Sequence, residues 1–356
     1  MNKPLLDLYT DYLISSFGQT TATALSRLLD GEVSHDQITR FLTSPAKTSA
    51  QLWRIVKPML RKVEQDDAVL VLDDSIEEKP YTDENDLICW HWDHSTQRNV
   101  KGINFLTALY VTDRVSLPLA FDLVTKTETI VDAKTQKQKR RSQITNNARY
   151  RILLQVVANN QIRFRYVLND AWYASADNMK FIHHDLKKDF LMPLKANRKV
   201  VLSKQDKQVG HYQAVSQLDL PEESTREIWL EEVDFPLLLA KEVFTNEDGS
   251  TGTLYLVSSD LTLRYDHMTK LYEKRWSIEV YHKWLKQNGS LEKSPTRTET
   301  TQRNHFFARL CAYVKLEGLK ISTGVNHFAL KSKIYMSALK SAYAELVKLN
   351  PQSLTA

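Results

Sequence analysis

Residues 68–75 read Ala-Val-Leu-Val-Leu-Asp-Asp-Ser, an aliphatic run that stops at two adjacent carboxylates. An unbroken run of this kind, rather than an alternating one, suits a strand buried on both faces in the middle of a sheet. A second such stretch, Phe164 to Asn169, ends at Asp170. Between the two lie strand patterns at Gly102 to Val111 and Ser116 to Val124, separated by the turn residues Thr112, Asp113 and Arg114, which predicts an antiparallel hairpin. Asn146 to Asn159 and Met179 to Leu186 read as helices, and Phe190 to Leu194 as a short strand. Neighbouring strand residues face opposite sides, so only one of Asp73 and Asp74 can serve a site at the first strand's end.

Three strands, helix, strand, helix, strand and a later helix is the order of an RNase H-like fold, an α/β architecture with a mixed five-stranded sheet and flanking helices. Its first part is expected over residues 66–195. Residues 196–252 alternate weakly and predict a β-rich insertion before the last strand, Thr253 to Ser258, which opens a second part over 253–320. A helical region over 321–356 follows. Residues 1–65 read as a helical domain, with Leu5, Leu8, Tyr12, Leu13 and Phe17 at helical spacing. There, two short helical patterns, Thr20 to Asp30 and Ser34 to Leu42, flank Gly31, and Ser34 with Gln37 makes a capping box. A helix-turn-helix would place His35, Gln37, Thr39 and Arg40 in a major groove. A plain helical bundle is an equal reading of the same pattern. The lysine- and arginine-rich stretch Lys126 to Arg141 reads as a solvated loop or a phosphate grip.

Composition narrows the function classes. Of 356 residues, 42% are hydrophobic and 26% charged, ordinary values for a globular chain long enough for two or three domains. The net charge of +5 is compatible with a nucleic-acid partner without requiring one. Two distant cysteines, Cys89 and Cys311, exclude a disulfide framework and a cysteine-based zinc site. The 9 glycines form neither a phosphate-cradling loop nor a dinucleotide fingerprint. No apolar run approaches the roughly 20 residues of a membrane span, and Met1 to Tyr12 lacks the basic start of a signal peptide, so a cytoplasmic protein without a membrane partner is expected.

The chemistry concentrates in a helical pattern from Asp266 to Gln287. Tyr272, Arg275, Glu279 and Lys286 fall within a band of roughly 60° on one helix face, beside the apolar Leu271, Ile278 and Leu285. Alone, Arg275 and Glu279 could be a surface i,i+4 ion pair. In the expected topology, however, the helix crosses beside the strand ends that carry Asp73 and Asp170. Three carboxylates meeting there repel one another unless cations are bound, which is the setting of two-metal phosphoryl transfer.

Tyr272, Arg275, Glu279 and Lys286 also match the Y-(2)-R-(3)-E-(6)-K signature, and the chain thereby resembles bacterial cut-and-paste transposases of the insertion sequence 4 family. The strand ends Val69 to Ser75 and Tyr166 to Asp170 resemble that family's two aspartate motifs, and the resemblance spans about Asp66 to Lys315. It implies a catalytic and metal-binding triad of Asp73, Asp170 and Glu279, with Asp73 rather than Asp74 as ligand because the family's ligand is usually followed by one variable residue and then a serine or threonine, here Asp74 and Ser75. It further implies two Mg²⁺ ions, with Mn²⁺ as a possible substitute, and phosphate contacts by Tyr272, Arg275 and Lys286. The implied partners are the element's terminal inverted repeats, target DNA and a second copy of the chain in the DNA complex. Trp229, in the insertion, is the candidate to stack on a flipped base, although a core role in a small sheet explains it too.

Other groupings are weaker. Cys89, His91 and His94 lack a second ligand pair and read as packing or DNA contact. His183, His184 and Asp185 read as a solvated helix face, and His305 as a helix cap or a neighbour of the site. A nuclease that does not join DNA, and a DNA-binding regulator without catalysis, are the alternative functions.

Overall fold

The computed structural model describes residues 4–94, 96–131, 133, 136–245, 248–287 and 296–349. Four helices lead the chain: α1 (Leu5–Ser15), α2 (Ala22–Leu28), α3 (His35–Leu42) and α4 (Ser49–Val63). Next come β1 (Val69–Glu78), β2 (Cys89–Asp93), β3 (Arg98–Val111), β4 (Ser116–Leu123), β5 (Glu128–Val131), β6 (Gln138–Arg141), α5 (Asn146–Ala158), β7 (Tyr166–Leu168), α6 (Ala176–Lys180) and β8 (Asp189–Leu194). The following segment holds β9 (Lys199–Val201), α7 (Lys204–Val209), β10 (Gln213–Ala214), β11 (Thr225–Leu230), β12 (Leu237–Thr245) and β13 (Thr251–Ser258). Four more helices, α8 (Tyr265–Glu273), α9 (Trp276–Gln287), α10 (Glu299–Thr323) and α11 (His327–Leu349), complete the described chain. The end of the helical region expected over 321–356, residues 350–356, lies outside the described residues.

The chain divides into two compact units, one of residues 56–76 and 103–281 and the other of residues 1–55, 77–102 and 282–356. The first unit is a mixed α/β structure. Its sheet runs β10-β9-β11-β12-β13-β8-β7-β1-β3, with β4 also on β3. β7 pairs in parallel with both β1 and β8, whereas β3 and β4 form the expected antiparallel hairpin. Val69, Leu70, Val71 and Leu72 are all fully buried, as an aliphatic central strand requires.

The sheet is larger than the five strands expected, because the insertion does not fold as a sheet of its own. β13 pairs antiparallel with β8, and β12 with β13 from Leu238↔Ser258 to Thr245↔Thr251. The insertion strands thus cover an edge of the core sheet that would otherwise expose a row of unpaired backbone groups. The Lys126 to Arg141 stretch, read as a loop, carries the two-stranded hairpin β5-β6, closed by an exposed Arg141–Glu128 ion pair at 2.8 Å. The helix expected over Asp266 to Gln287 is two helices. At Lys274 and Arg275 the backbone bonds shorten to i→i+3, with Lys274 N–H donating to Leu271 O and Arg275 N–H to Tyr272 O. Neither glycine nor proline marks that tightened turn in the sequence.

The second unit is mainly helical. α1 buries Leu8, Tyr9, Tyr12 and Leu13, α3 buries Ile38 and Leu42, and α10 buries Phe306, Phe307 and Leu310. Asn304 on α10 accepts from Lys47 N–H at 2.9 Å and donates to the carbonyls of Leu42 and Ser44 at 2.9 and 2.7 Å, fixing the chain just after α3. The capping box forms: Ser34 Oγ accepts from Gln37 N–H at 3.2 Å, and Gln37 Oε1 accepts from Ser34 N–H at 2.8 Å. Gly31 adopts a left-handed φ of 81° in the connection before α3, where a side chain would be strained. His305 neither caps α10, whose N-cap is Thr298, nor belongs to the unit that holds Asp73 and Asp170; it is buried, with its Nδ1 at 2.8 Å from Tyr9 OH.

In the same unit, the Cys89–Asp93 motif is a strand the sequence reading missed. β2 pairs antiparallel with β3 from Cys89↔Gly102 to Asp93↔Arg98, with Cys89 and His91 buried and Trp90 and Trp92 about half exposed. Cys89 Sγ and His91 Nε2 lie 3.3 Å apart, so this pair packs inward. Among the described residues, no helix is long and apolar enough to cross a membrane.

Gly102 sits where a Cβ would fall inside contact distance of the Glu77 backbone carbonyl, which cannot swing aside as a side chain can. Gly102→Ala is therefore expected to cost about 3 kcal/mol or more, read as a lowered midpoint in denaturant unfolding. An unchanged midpoint would show that the β1 and β3 backbones are not so close.

Candidate active site

The pairing of β1 with β7 sets the site. The register runs Val69↔Tyr166, Leu70↔Val167 and Val71↔Leu168, and two residues beyond the last pair on each chain stand Asp73 and Asp170. Parallel neighbours lie about 4.8 Å apart, so the two aspartates stand side by side; Asp73 does not end its strand, as the aliphatic run suggested, because β1 runs on to Glu78, whereas Asp170 lies just past the end of β7. Asp170 is oriented by its own turn: its Oδ1 accepts from Trp172 N–H at 3.0 Å and from Tyr173 N–H at 3.4 Å. Asn169, fully buried, donates from Nδ2 to the Asp170 carbonyl at 2.7 Å and accepts from Tyr150 OH at 2.8 Å.

Glu279 is in the first turn of α9, and one of its carboxylate oxygens lies within 4.8 Å of an Asp73 oxygen. Arg275, in the tightened turn, donates from Nη1 to Glu279 Oε1 at 3.2 Å and places its guanidinium 5.7 Å from the centre of the Tyr272 ring. The Tyr272 hydroxyl reaches the Asn169 carbonyl at 3.4 Å. Tyr272, Arg275 and Glu279 thus gather with Asp73 and Asp170, although they lie on two helices rather than one continuous face. Lys286 occupies the last turn of α9, two turns beyond Glu279.

The electrostatics are those of crowded like charges. Burial pushes the Asp73 carboxyl well above the usual carboxylate range, and the neighbouring Asp170, Asp74 and Glu279 push it further, against the opposing pull of Arg275. Asp170 is raised by burial and by Asp74, with the Trp172 and Tyr173 amides and Arg275 acting against the shift. Such a group of oxygens, short of positive charge, suits a hard divalent cation such as Mg²⁺ or Mn²⁺. The sequence reading passed over His282, three residues after Glu279 on α9 and buried. A Glu-x-x-His spacing, which puts a carboxylate and an imidazole on one helix face, was the signal available.

Other singled-out residues lie elsewhere. Gln37 and Arg40 are exposed on α3, Gln37 with its carbonyl engaged in the cap and Arg40 Nε donating to Asp36 O at 3.4 Å. Trp229 is on β11, half-buried, and lines a surface pocket with Lys204 and Lys207, whose ammonium groups lie 6.0 and 5.8 Å from its ring centre. His183 and His184 are on a π-helical turn, Phe181–Asp185, rather than a solvated α-helical face. His183 stacks on Phe235 at 4.0 Å, and His184 Nε2 meets Asp234 Oδ1 at 2.9 Å.

A family model described as DDE superfamily endonuclease matches residues 3–215. The chain belongs to this family. The matched span includes the leading helices and both Asp73 and Asp170, and it ends before the helix that carries Glu279. No curated protein matches the chain. Family membership makes the protein an endonuclease-type, DDE domain whose substrate class is DNA, and the acidic group supplies a place for the divalent metal such nucleases use.

Because the folded-state carboxyl of Asp73 is raised above its unfolded value, its protonation stabilises the fold below the ordinary carboxylate pKa, and that contribution is lost as pH rises through the raised value. In chelator, Asp73→Asn should therefore melt above the parent protein, by more at pH 8 than at pH 4.5. Added Mn²⁺ should raise the melting temperature of the parent but not of the variant. Equal melting at both pH values would show that the carboxylates do not strain the metal-free fold.

Proposed function

We propose that the protein is an insertion-sequence transposase of the insertion sequence 4 type, which cuts an element out of DNA and joins its ends to a target. The observation that carries this reading is the level placement of Asp73 and Asp170, each two residues past the last paired position of the parallel strands β1 and β7, with the Glu279 carboxylate beside Asp73. An endonuclease family model over residues 3–215 and the four-residue signature Tyr272, Arg275, Glu279 and Lys286 support it.

In this reading Asp73, Asp170 and Glu279 are the catalytic ligands of two Mg²⁺ ions, with Mn²⁺ as a substitute. When bound, the ions activate a water or 3′-hydroxyl and stabilise the departing oxygen of the scissile phosphodiester. Asp73 and Asp170 fix the spacing of the acidic site from the sheet, and Glu279 closes it from the helix. Arg275, held by Glu279 and Tyr272, offers a guanidinium fork to a terminal phosphate. Tyr272 and Lys286 add contacts to the same strand. Residues 1–65 form the DNA-reading domain, with Gln37 and Arg40 on the exposed face of α3. Trp229, beneath two lysines, stacks on an extruded base. The RNase H-like domain comprises residues 66–195 and 253–320, interrupted by the insertion at 196–252 and followed by the helical region 321–356. Two copies act together, one for each end of the element, and the protein works in the cytoplasm.

Glu279→Gln should lower Mg²⁺-dependent cleavage of an end-bearing duplex by about 10²–10³-fold while leaving duplex binding in a gel-shift assay intact. Cleavage at the parental rate would remove Glu279 from catalysis. A pre-nicked end should also yield joined products with target DNA; cleavage without joining would make the protein a nuclease instead.

A further inference from the structure

The side chain of Asp74 is the fourth carboxylate at the site, and its surroundings differ from those of its neighbours. Its Oδ1 accepts from Tyr173 OH at 2.8 Å and its Oδ2 from Asn104 Nδ2 at 2.7 Å. Asn104 is buried on β3, the strand next to β1. Tyr173 is buried in the turn after β7, and its backbone N–H is one of the two that orient Asp170. Its ring stacks on Tyr150 of α5, with centres 4.9 Å apart and planes at 16°, and Tyr150 OH in turn holds Asn169. A single chain of contacts therefore runs from β3 through Asn104, Asp74 and Tyr173 to the backbone that aims Asp170.

Resting on the transposase reading, we infer that Asp74 is a positioning residue: held between Asn104 and Tyr173, it locks the Asp170 turn against β1 and so sets the distance between the two aspartate ligands. The strand pairing alone cannot do this. β7 ends at Leu168, two residues short of Asp170, so the last ladder contact stops before the ligand. Among the described residues, Asp73 has no comparable side-chain donor on its oxygens; its Oδ1 accepts the Asp74 backbone N–H at 2.9 Å. The two adjacent acids divide the work. Asp73 faces Glu279 and offers oxygen to a cation, while both oxygens of Asp74 are committed to neutral protein donors. Outer partners that orient a ligand in this way commonly contribute a factor of about 10–100 to metal affinity.

The test is a titration of the full-length, DNA-free protein with Mn²⁺ alone, followed by electron paramagnetic resonance of the free ion. Asp73→Asn should abolish the tight binding. Tyr173→Phe and Asp74→Asn should each weaken it about 10–100-fold. The double variant should bind no more weakly than Asp74→Asn, because both changes open the same link. Asn104→Ser reaches Asp74 from the other strand and should act in the same direction, which keeps the test informative should one variant not fold. Loss of all binding in Asp74→Asn, with an independent additive effect of Tyr173→Phe, would make Asp74 a ligand and overturn the inference. Parental affinity in Tyr173→Phe and Asp74→Asn would overturn it as well. Retained Mn²⁺ binding in Asp73→Asn would instead count against the proposed catalytic site itself.

Discussion

The hydrogen-bonded pairing of β1 with β7 is the constraint on which the site depends. Two strands nearly a hundred residues apart in sequence lie in parallel register, and the offset that pairs Val71 with Leu168 also brings Asp73 level with Asp170. A slip of one residue would turn every side chain of β1 to the opposite face, exchanging Asp73 for Asp74 and placing carboxylates in the aliphatic core. Burial of Val69 to Leu72 on both sides makes that slip costly. The same apolar run that folds the sheet therefore aims the acids.

Against this stands electrostatic repulsion. Asp73 and Asp170 are both driven toward protonation by burial and by neighbouring carboxylates, and Arg275 only partly offsets the effect. A fold that keeps such a group together gives up stability at a site of concentrated negative charge, and that sacrifice is the usual mark of a functional centre. Tyr173 and Asn104 hold the Asp74 carboxylate, and the Trp172 amide holds that of Asp170, through hydrogen bonds of 2.8, 2.7 and 3.0 Å.

Much of this was legible in the amino-acid order. The aliphatic run before Asp73, the second run before Asp170 and the Arg275–Glu279 spacing are local patterns, and local patterns survive without knowledge of tertiary partners. The capping box at Ser34 and Gln37 is equally local. What stayed hidden depends on partners distant in sequence. The tightened turn at Lys274 and Arg275 contains no helix breaker, so intrinsic preference gave no warning. β2 is five residues of mixed chemistry, and its alternation of buried Cys89 and His91 with exposed tryptophans acquires meaning only once β3 lies beside it. The attachment of β12 and β13 to β8 was invisible for the same reason: alternation announces a strand but not which edge it will join. His305 looked like a site or capping residue because its sequence neighbourhood is polar, whereas its environment is set by Tyr9, far away in the chain.

The continuous ladder has a metric consequence. From β7, which leads to Asp170, the sheet passes through β8, β13 and β12 to β11, which carries Trp229. Four interstrand steps of about 4.8 Å give a lateral offset of roughly 19 Å, and backbone hydrogen bonds brace each step. The separation between the Trp229 ring and the acidic group is therefore set by the backbone ladder, as rigidly as the span of a beam, rather than by any flexible arm.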